Sequence, residues 1–271
     1  MFFKNKIRLF WWNEKVFHNK AKENYGDLLG KYLAEKISGK QVVFTKPKDF
    51  SFLDFFSPIY VTIGSILGNV NHKCIVWGSG IITKNQEVKK AKEFLAVRGP
   101  QTRFRLLELG YQVPEVYGDP ALLLPDFYNP IIEKEFEIGI VPHYVDYEQV
   151  KMLFQDRNDV FIIDLMTNDI ETTTMDFLKC KKIISSSLHG LIISHTYGIP
   201  AIWQKFSDKV YGDDIKFQDY FESVQMEFYQ PMLFNKDNLN ELFVSFPILP
   251  KKEVVQNLKK GLMEVCPFAS K

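Results

Sequence analysis

The chain has 271 residues, of which 46% are hydrophobic and 25% are charged, a balance typical of folded globular proteins rather than disordered ones. Its formal net charge is +1, so no overall field would recruit nucleic acid, and an anionic ligand must be held by a few local cations. The three cysteines form no CxxC pair and no apolar run reaches 18 residues. These features argue against a disulfide framework, a metal site and a transmembrane helix, and predict a cytoplasmic protein.

The first half of the chain alternates short apolar strands with helical patterns. Ile7–Trp12 predicts the first strand, and Asp27 is predicted to cap a helix that ends at Gly39. The later elements of this half are strands at Tyr60–Ile63, Cys74–Trp77 and Phe94–Val97, a helix between Pro100 and Gly110, and a short strand at Pro114–Gly118.

The pattern breaks around Pro125–Glu135, where two prolines and several charges follow no period, and then restarts. The second half predicts strands at Glu137–Val141, Val160–Ile163, Lys182–Ser185 and Ala201–Trp203, a helix at Leu188–Tyr197 closed by Gly198, and a last amphipathic helix around Val254–Val265.

This alternation indicates βαβ units with parallel sheets. The break near Pro125 predicts an N-terminal domain at residues 1–130 and a C-terminal domain at residues 131–271, whose last helix packs back across both. We therefore expect an α/β fold of two Rossmann-like domains that face a cleft.

Polar residues and glycines follow most of the predicted strands, where open parallel sheets bind their ligands. They are Gly26 and Asp27, Gly64 and Ser65, Gly78, Ser79 and Gly80, Arg98, His143, and finally Ser187 and His189. Glycines let a backbone approach a ligand closely, and helix starts offer unpaired N–H groups. Arg98 and His189 each add a cationic donor beside a helix start, so the set predicts a site for a small, multiply charged anion.

Each of these residues also has a structural interpretation. The Gly78–Gly80 run lacks the spacing of a dinucleotide fingerprint and fits a tight turn equally well. Arg98 also fits an ion pair with Asp119, and His143 fits a hydrogen bond within a loop. Asp27 and Asp119 are candidate acids or bases, although Asp27 also fits its role as a helix cap.

Several motifs, in this order, make the chain resemble the polysaccharide pyruvyl transferases. They are Tyr25-Gly26-Asp27, Gly64-Ser65, VWGSGI at Val76–Ile81, VRGPQT at Val97–Thr102, GDPALLLP at Gly118–Pro125, IGIVPHY at Ile138–Tyr144, and SSSLHGLIISHTYGIPAI at Ser185–Ile202. The last motif is the most specific one and includes Ser187, His189 and Gly190. The resemblance implies a fold similar to glycosyltransferases of the GT-B type.

The resemblance further implies transfer of pyruvate from phosphoenolpyruvate to two hydroxyls of a sugar, giving a cyclic ketal in bacterial-type surface polysaccharides such as capsules and exopolysaccharides. Phosphoenolpyruvate is then a co-substrate and no cofactor is expected. In this pattern Arg98 and His189 serve the donor. Some family members carry Arg two residues before this histidine, where this chain has Ser187, so His143, Arg103 or Lys205 would have to supply the missing cation.

Two other functions remain open at this stage. A nucleotide-sugar glycosyltransferase of the same fold would need a carboxylate for the ribose, for which Asp164 or Asp208 is available. A glycan-binding protein without catalysis has less need of Arg98 and His189 together. If the acceptor is lipid-linked, we expect a peripheral contact with the inner face of a membrane through the aromatic N-terminus, namely Phe2, Phe3, Trp11 and Trp12.

Overall fold

The computed structural model describes residues 6–231, 234 and 239–269. The strands are β1 (Lys6–Phe10), β2 (Glu23–Asn24), β3 (Gln41–Phe44), β4 (Ile59–Val61), β5 (Cys74–Trp77), β6 (Glu93–Ala96), β7 (Phe136–Val141), β8 (Val160–Ile162), β9 (Met166–Thr167), β10 (Cys180–Ser185) and β11 (Ala201–Trp203). The α-helices are α1 (Glu14–His18), α2 (Tyr25–Ser38), α3 (Pro100–Glu108), α4 (Leu124–Phe127), α5 (Tyr147–Leu153), α6 (Ile170–Leu178), α7 (Leu188–Thr196), α8 (Ile215–Ser223), α9 (Leu239–Ser245) and α10 (Lys252–Glu264). Short 3-10 turns lie at Phe52–Phe55, Leu67–Asn69 and Pro120–Leu123.

Among the described residues, five strands form a parallel sheet in the order β3-β1-β4-β5-β6. Taken in chain order, this is the 2-1-3-4-5 arrangement of doubly wound folds. β3 lies on one side of β1 and the later strands lie on the other side. The direction in which strands are added therefore reverses between β1 and β4. In such sheets, ligands bind outside the carboxyl ends of the strands at that reversal.

The second parallel sheet has the order β11-β10-β7-β8 and reverses in the same way between β7 and β10. A two-residue antiparallel pair, β2 with β9, connects the loop after β1 to the segment after β8. The backbone N–H of Tyr25 extends this connection by donating to the carbonyl of Leu165 at 2.7 Å. The start of α2 is thereby held against the second half of the chain.

The mixed α/β fold with parallel sheets that the sequence predicts is confirmed, and most element boundaries agree within two residues. Gly39 and Gly198 end their helices with positive φ values of 65° and 71°, as predicted from their positions. The sequence interpretation did not identify the strands β2, β3 and β9 or the helices α1, α4, α5, α6, α8 and α9.

Two local predictions were wrong. The cap of α2 is Asn24, whose side chain accepts the N–H of Gly26, whereas Asp27 lies inside the first turn of the helix. Pro114–Gly118 does not form a strand; it makes an isolated bridge between Val97 and Tyr117.

One of the apolar cores joins the two halves of the chain. It joins α2 and the end of β4 to residues of α6, α7 and α8, with Tyr25, Leu29, Phe177, Leu191 and Tyr220 fully buried in it. The last helix, α10, packs on the first half: the indole N–H of Trp77 donates to the carbonyl of Leu262 at 3.0 Å, and Lys259 pairs with Asp126. The division at residue 130 and the GT-B arrangement of two domains stay predictions.

Candidate functional site

A cavity of about 540 Å³ lies beyond the carboxyl ends of strands from both sheets. Its walls come from the segments after β1, β4, β7 and β10, together with the start of α8. Of the predicted site residues, it contains Asp27, Gly64, Ser65, His143, Ser187 and His189. These six follow four different strands, so the fold collects residues that lie far apart in the sequence.

The start of α2 forms one wall of this cavity. Gly26 packs so closely on His189 that a Cβ at residue 26 would lie 2.0 Å from the Nδ1 atom of the imidazole. On the opposite side, Gly64 has a φ of 102°, and a Cβ there would lie 3.2 Å from Oδ1 of Asp27. Both glycines are thus needed to bring the α2 wall against its neighbours.

The start of α7 forms the facing wall. The side chain of Ser187 at the cap position makes no hydrogen bond to the helix, so the first-turn N–H groups of α7 point into the site without a side-chain acceptor. The Nε2 atom of His189 lies 3.7 Å from Oδ2 of Asp119, and both atoms are buried without a hydrogen-bond partner among the described residues. Asp119 is fully buried behind His189, with its Oδ1 accepting the N–H of Ala121.

Asp27 has an unusual electrostatic environment. Burial raises the pKa of its carboxyl from an ordinary value of 3.8 to about 7, against the opposing influence of His189. Glu14 and Glu23 raise this pKa further, whereas Lys216 lowers it. A carboxyl that exchanges its proton near neutral pH suits general acid–base chemistry.

Lys216, at the start of α8, lines the cavity and was not among the predicted site residues. Burial lowers the pKa of its ammonium from 10.5 to about 8, and the nearby charge of Arg98 lowers it further. Its Nζ forms no ion pair or hydrogen bond with the described residues and lies 5.3 Å from the ring centre of Phe217, while the charges of Asp214 and Asp27 partly oppose the lowering of its pKa. A largely buried ammonium without a carboxylate partner is costly, and an anionic ligand would offset that cost. Lys209, on the exposed loop before α8, also lines the cavity.

His143 lies in the cavity but is uncharged near neutral pH. Burial lowers the pKa of its imidazole from 6.5 to about 4, and Lys216 lowers it further. Its backbone N–H donates to Oγ of Ser186 at 2.8 Å, and its ring lies against Tyr144. His143 therefore adds no positive charge to the cavity at neutral pH, whereas Lys216 does.

Arg98 is fully buried and does not line the cavity. Its guanidinium donates to Asp219 at 2.9 Å, to Oγ of Ser65 at 2.6 Å and to the carbonyl of Ile81 at 2.7 Å. Because Ser65 lines the cavity, its hydrogen bond with Arg98 supports the cavity wall from the buried side. A direct contact between Arg98 and the donor stays a prediction.

The other predicted site residues lie outside the cavity. Gly78 packs on Pro120, Ser79 donates to the carbonyl of Gly64, Gly80 backs on the guanidinium of Arg98, and Gly190 packs on Ser185. Arg103 donates to the carbonyl of Val113, and Lys205 pairs with Asp214 beside a second cavity of about 250 Å³. Neither Arg103 nor Lys205 is therefore placed to replace the arginine absent at Ser187.

Another part of the cavity is lined by three rings and one acidic group that the sequence interpretation did not assign to the site, namely Trp12, His18, Tyr144 and Glu14. Of these, Trp12 was considered only for a membrane contact. Trp11, by contrast, is buried in the core, and Phe2 and Phe3 lie outside the described residues. Trp11 is therefore not available for the membrane contact expected of the N-terminus.

The carboxylates considered for a nucleotide-sugar donor lie outside the main cavity. Asp164 accepts the N–H of Met166 and pairs with Lys22, and Asp208 lines the second cavity. Within residues 6–231 and 239–269, no group of three or more His, Cys, Asp or Glu side chains is placed to hold a metal ion. No helix in the described part of the chain combines the length and apolarity that a membrane crossing requires.

The cavity residues that sequence reasoning did not find carry no recognisable site motif. Lys216 lies on a helix that was not predicted, and Trp12 and Glu14 lie at the end of β1 without a motif of their own. A signal for α8 does exist in the apolar spacing of Ile215, Tyr220, Phe221 and Val224, all buried in the structure. Nothing in that spacing indicates that Lys216 faces a cavity.

Comparison with known proteins gives two matches. Residues 10–203 match the family described as polysaccharide pyruvyl transferase. An uncharacterised protein of Acanthamoeba polyphaga mimivirus is 34% identical over 252 residues, which are 89% of this chain and 86% of that protein.

Proposed function

Because the chain belongs to the polysaccharide pyruvyl transferase family, we propose that it transfers pyruvate from phosphoenolpyruvate to two hydroxyls of a saccharide, giving a cyclic ketal and inorganic phosphate. Family membership itself supports a transferase with a pyruvate donor and a saccharide acceptor. The donor's identity, the ketal product and a place in surface polysaccharide synthesis are parts of the proposal.

The observation that carries the proposal is the cationic end of the cavity. Lys216 presents a largely buried ammonium without an ion pair to any described residue, and α7 presents its uncapped N-terminus with His189 in the first turn. Phosphoenolpyruvate carries a phosphate and a carboxylate, which match one point charge and one set of backbone N–H groups. Lys209 adds a second, exposed ammonium at the same cavity.

The chemistry requires three proton transfers: one to the methylene carbon of the donor and one from each of the two sugar hydroxyls. A proton adds to the methylene carbon of the donor, leaving positive charge at the carbon that bears the phosphate ester. A sugar hydroxyl adds to that carbon and loses its proton, the phosphate departs with its bridging oxygen, and the second hydroxyl adds and loses its proton. Of the two hydroxyl protons, one makes up for the proton added to the methylene carbon, and the other leaves on the phosphate.

His189 and Asp27 are the groups we assign to these proton transfers. His189 delivers the proton to the methylene carbon from the first turn of α7, with Asp119 behind it as the group that orients its Nε2. Asp27, whose pKa is raised to about 7, accepts the proton of the attacking hydroxyl. General acid–base help of this kind contributes about 10²–10⁴-fold to a rate.

The test is incubation with phosphoenolpyruvate and a panel of galactose-, glucose- and mannose-type acceptors, followed by mass measurement of added pyruvate and by phosphate release. We expect pyruvylated product with at least one acceptor, and a loss of about 10²-fold or more in His189→Ala. His72→Ala, at a histidine outside the cavity, is the matched control. Near wild-type transfer by His189→Ala would overturn the assignment, and binding of nucleotide sugars without phosphoenolpyruvate binding would favour a glycosyltransferase.

A further inference from the structure

The end of the cavity opposite Lys216 has a different chemical character. It is formed by Trp12 and α1 from the first half of the chain and by Tyr144 from the loop after β7. Cavities of ~300–1,000 Å³ hold drug-sized ligands, so a volume of about 540 Å³ leaves room beside a three-carbon phosphate ester.

Glu14 places an ionised carboxylate at this end, paired with the ammonium of Lys20. Burial opposes ionisation of its carboxyl, but hydrogen bonds from Lys20 and His18 outweigh burial and hold its pKa below the ordinary value. Both partners bind the same oxygen, Oε2, at 3.0 Å and 2.8 Å. Oε1 accepts no hydrogen bond from the described residues, so this carboxylate retains an acceptor toward the cavity it lines.

Trp12 adds an apolar surface beside this carboxylate. One face of the indole stacks on Phe17, with ring centroids 4.7 Å apart and planes 29° apart, which fixes the ring. The indole is only partly buried, and its exposed part lines the cavity. Tyr144 is less available as a flat surface, because Nζ of Lys20 lies 4.0 Å from the centre of its ring.

Because Lys20 balances the charge of Glu14, this end offers an anion no excess of positive charge. A carboxylate beside a fixed, partly exposed aromatic ring suits a neutral polyhydroxylated ligand. Sugar hydroxyls donate charge-assisted hydrogen bonds to carboxylates, and the C–H face of a sugar ring packs on an indole.

Resting on the proposed function, we infer that Trp12 and Glu14 form the binding subsite for the acceptor saccharide, separate from the cationic end that takes the donor. Asp27 is near both sets of groups, because Glu14, His189 and Lys216 all act electrostatically on its carboxyl. A saccharide held on Trp12 and Glu14 would thereby have its hydroxyls close to Asp27.

The inference is tested by measuring binding of the methyl glycosides of galactose, glucose and mannose, and separately of phosphoenolpyruvate, to the intact protein by titration calorimetry and saturation-transfer NMR. We expect at least one glycoside to bind, and Trp12→Ala to weaken that binding about tenfold while phosphoenolpyruvate affinity changes less than about twofold. Glu14→Gln, which keeps the size of the side chain, should also weaken glycoside binding, and Lys216→Met should weaken only phosphoenolpyruvate binding.

Phe104→Ala removes an exposed aromatic ring on α3, outside the cavity, and serves as the control. Circular dichroism of each variant separates lost binding from lost folding. Failure of every glycoside to bind, or unchanged binding in both Trp12→Ala and Glu14→Gln, would overturn the subsite.

The two proposals fail in different ways. Trp12-dependent glycoside binding without pyruvyl transfer would keep the subsite and remove the proposed function. Pyruvyl transfer with an acceptor KM that does not depend on Trp12 would keep the function and remove the subsite.

Discussion

Asp27 occupies the position in the cavity where opposing charges meet. Its carboxyl keeps a proton to about pH 7 because burial disfavours the ionised form, with Glu14 and Glu23 adding to that effect. His189 and Lys216 favour the ionised form. A base of this kind is active when deprotonated, so the rate depends on how the surrounding charges set its pKa.

We therefore predict that kcat/KM rises with pH through about 7 as Asp27 loses its proton. Lys216→Met should move this rising limb to higher pH, because Lys216 lowers the pKa of Asp27. Lys216→Arg keeps the charge and should leave the limb in place. The check is a pH–rate profile of each protein, and an unshifted limb in Lys216→Met would contradict the coupling.

The same carboxyl gives a prediction on stability. The folded protein holds the Asp27 proton to about pH 7, whereas the unfolded chain releases it near 3.8, so this group makes folding less favourable as pH rises from about 4 to about 7. Asp27→Asn should remove this contribution and raise Tm at pH 8 more than at pH 5. Calorimetric melting at the two pH values measures the difference, and equal changes in Tm would count against the raised pKa.

Arg98 and Asp219 form a buried ion pair whose loss should affect folding before it affects chemistry. Arg98→Met would leave the Asp219 carboxylate buried without its cation, a change that costs about 3–5 kcal/mol. Lys181→Met breaks an exposed pair with Glu137 and should change stability little. Urea denaturation compares the two variants; a stable, inactive Arg98→Met protein would instead support a direct role at the donor.

At the scale of elements, the packing of α2 on α7 places the two side chains proposed for proton transfer, Asp27 and His189. A methyl group at Gly26 would overlap the imidazole of His189, so Gly26→Ala should displace that ring and lower turnover by tenfold or more, on the order of what small misplacements cost. Gly261→Ala, also inside a helix, meets nothing closer than Val116 at 3.8 Å and should keep full activity. Turnover and helix content are measured for both variants, and an active Gly26→Ala protein would contradict the packing constraint.

Elements that depend on local signals were predicted well from the sequence. Gly39 and Gly198 mark helix ends because few other residues adopt positive φ, and apolar runs such as Cys74–Trp77 mark buried strands. Lys216 and Glu14 could not be found in this way. Their importance comes from which cavity they reach and which charges surround them, and both depend on the packing of distant segments.

At the scale of the molecule, the apolar core that α2 of the first half shares with α6, α7 and α8 favours a single unfolding transition. Leu29 of α2 is fully buried in the same cluster as Phe177 of α6 and Leu191 of α7. Unfolding of α2 would therefore expose apolar side chains of α6 and α7 to water. Leu29→Ala should cost about 2–5 kcal/mol and lower one common Tm. Calorimetry together with tryptophan fluorescence tests this, and two separate transitions would show that the halves unfold independently.

The partner of Arg98 comes from outside the stretch shared with the family. Asp219 and Lys216 belong to α8, whereas the family match ends at residue 203. A hybrid gene spliced from two relatives at that limit would pair the arginine of one parent with whatever the other parent carries in the following helix. Successful recombination would therefore need its crossover before Arg98 or after Ser223, so that both charges are inherited together.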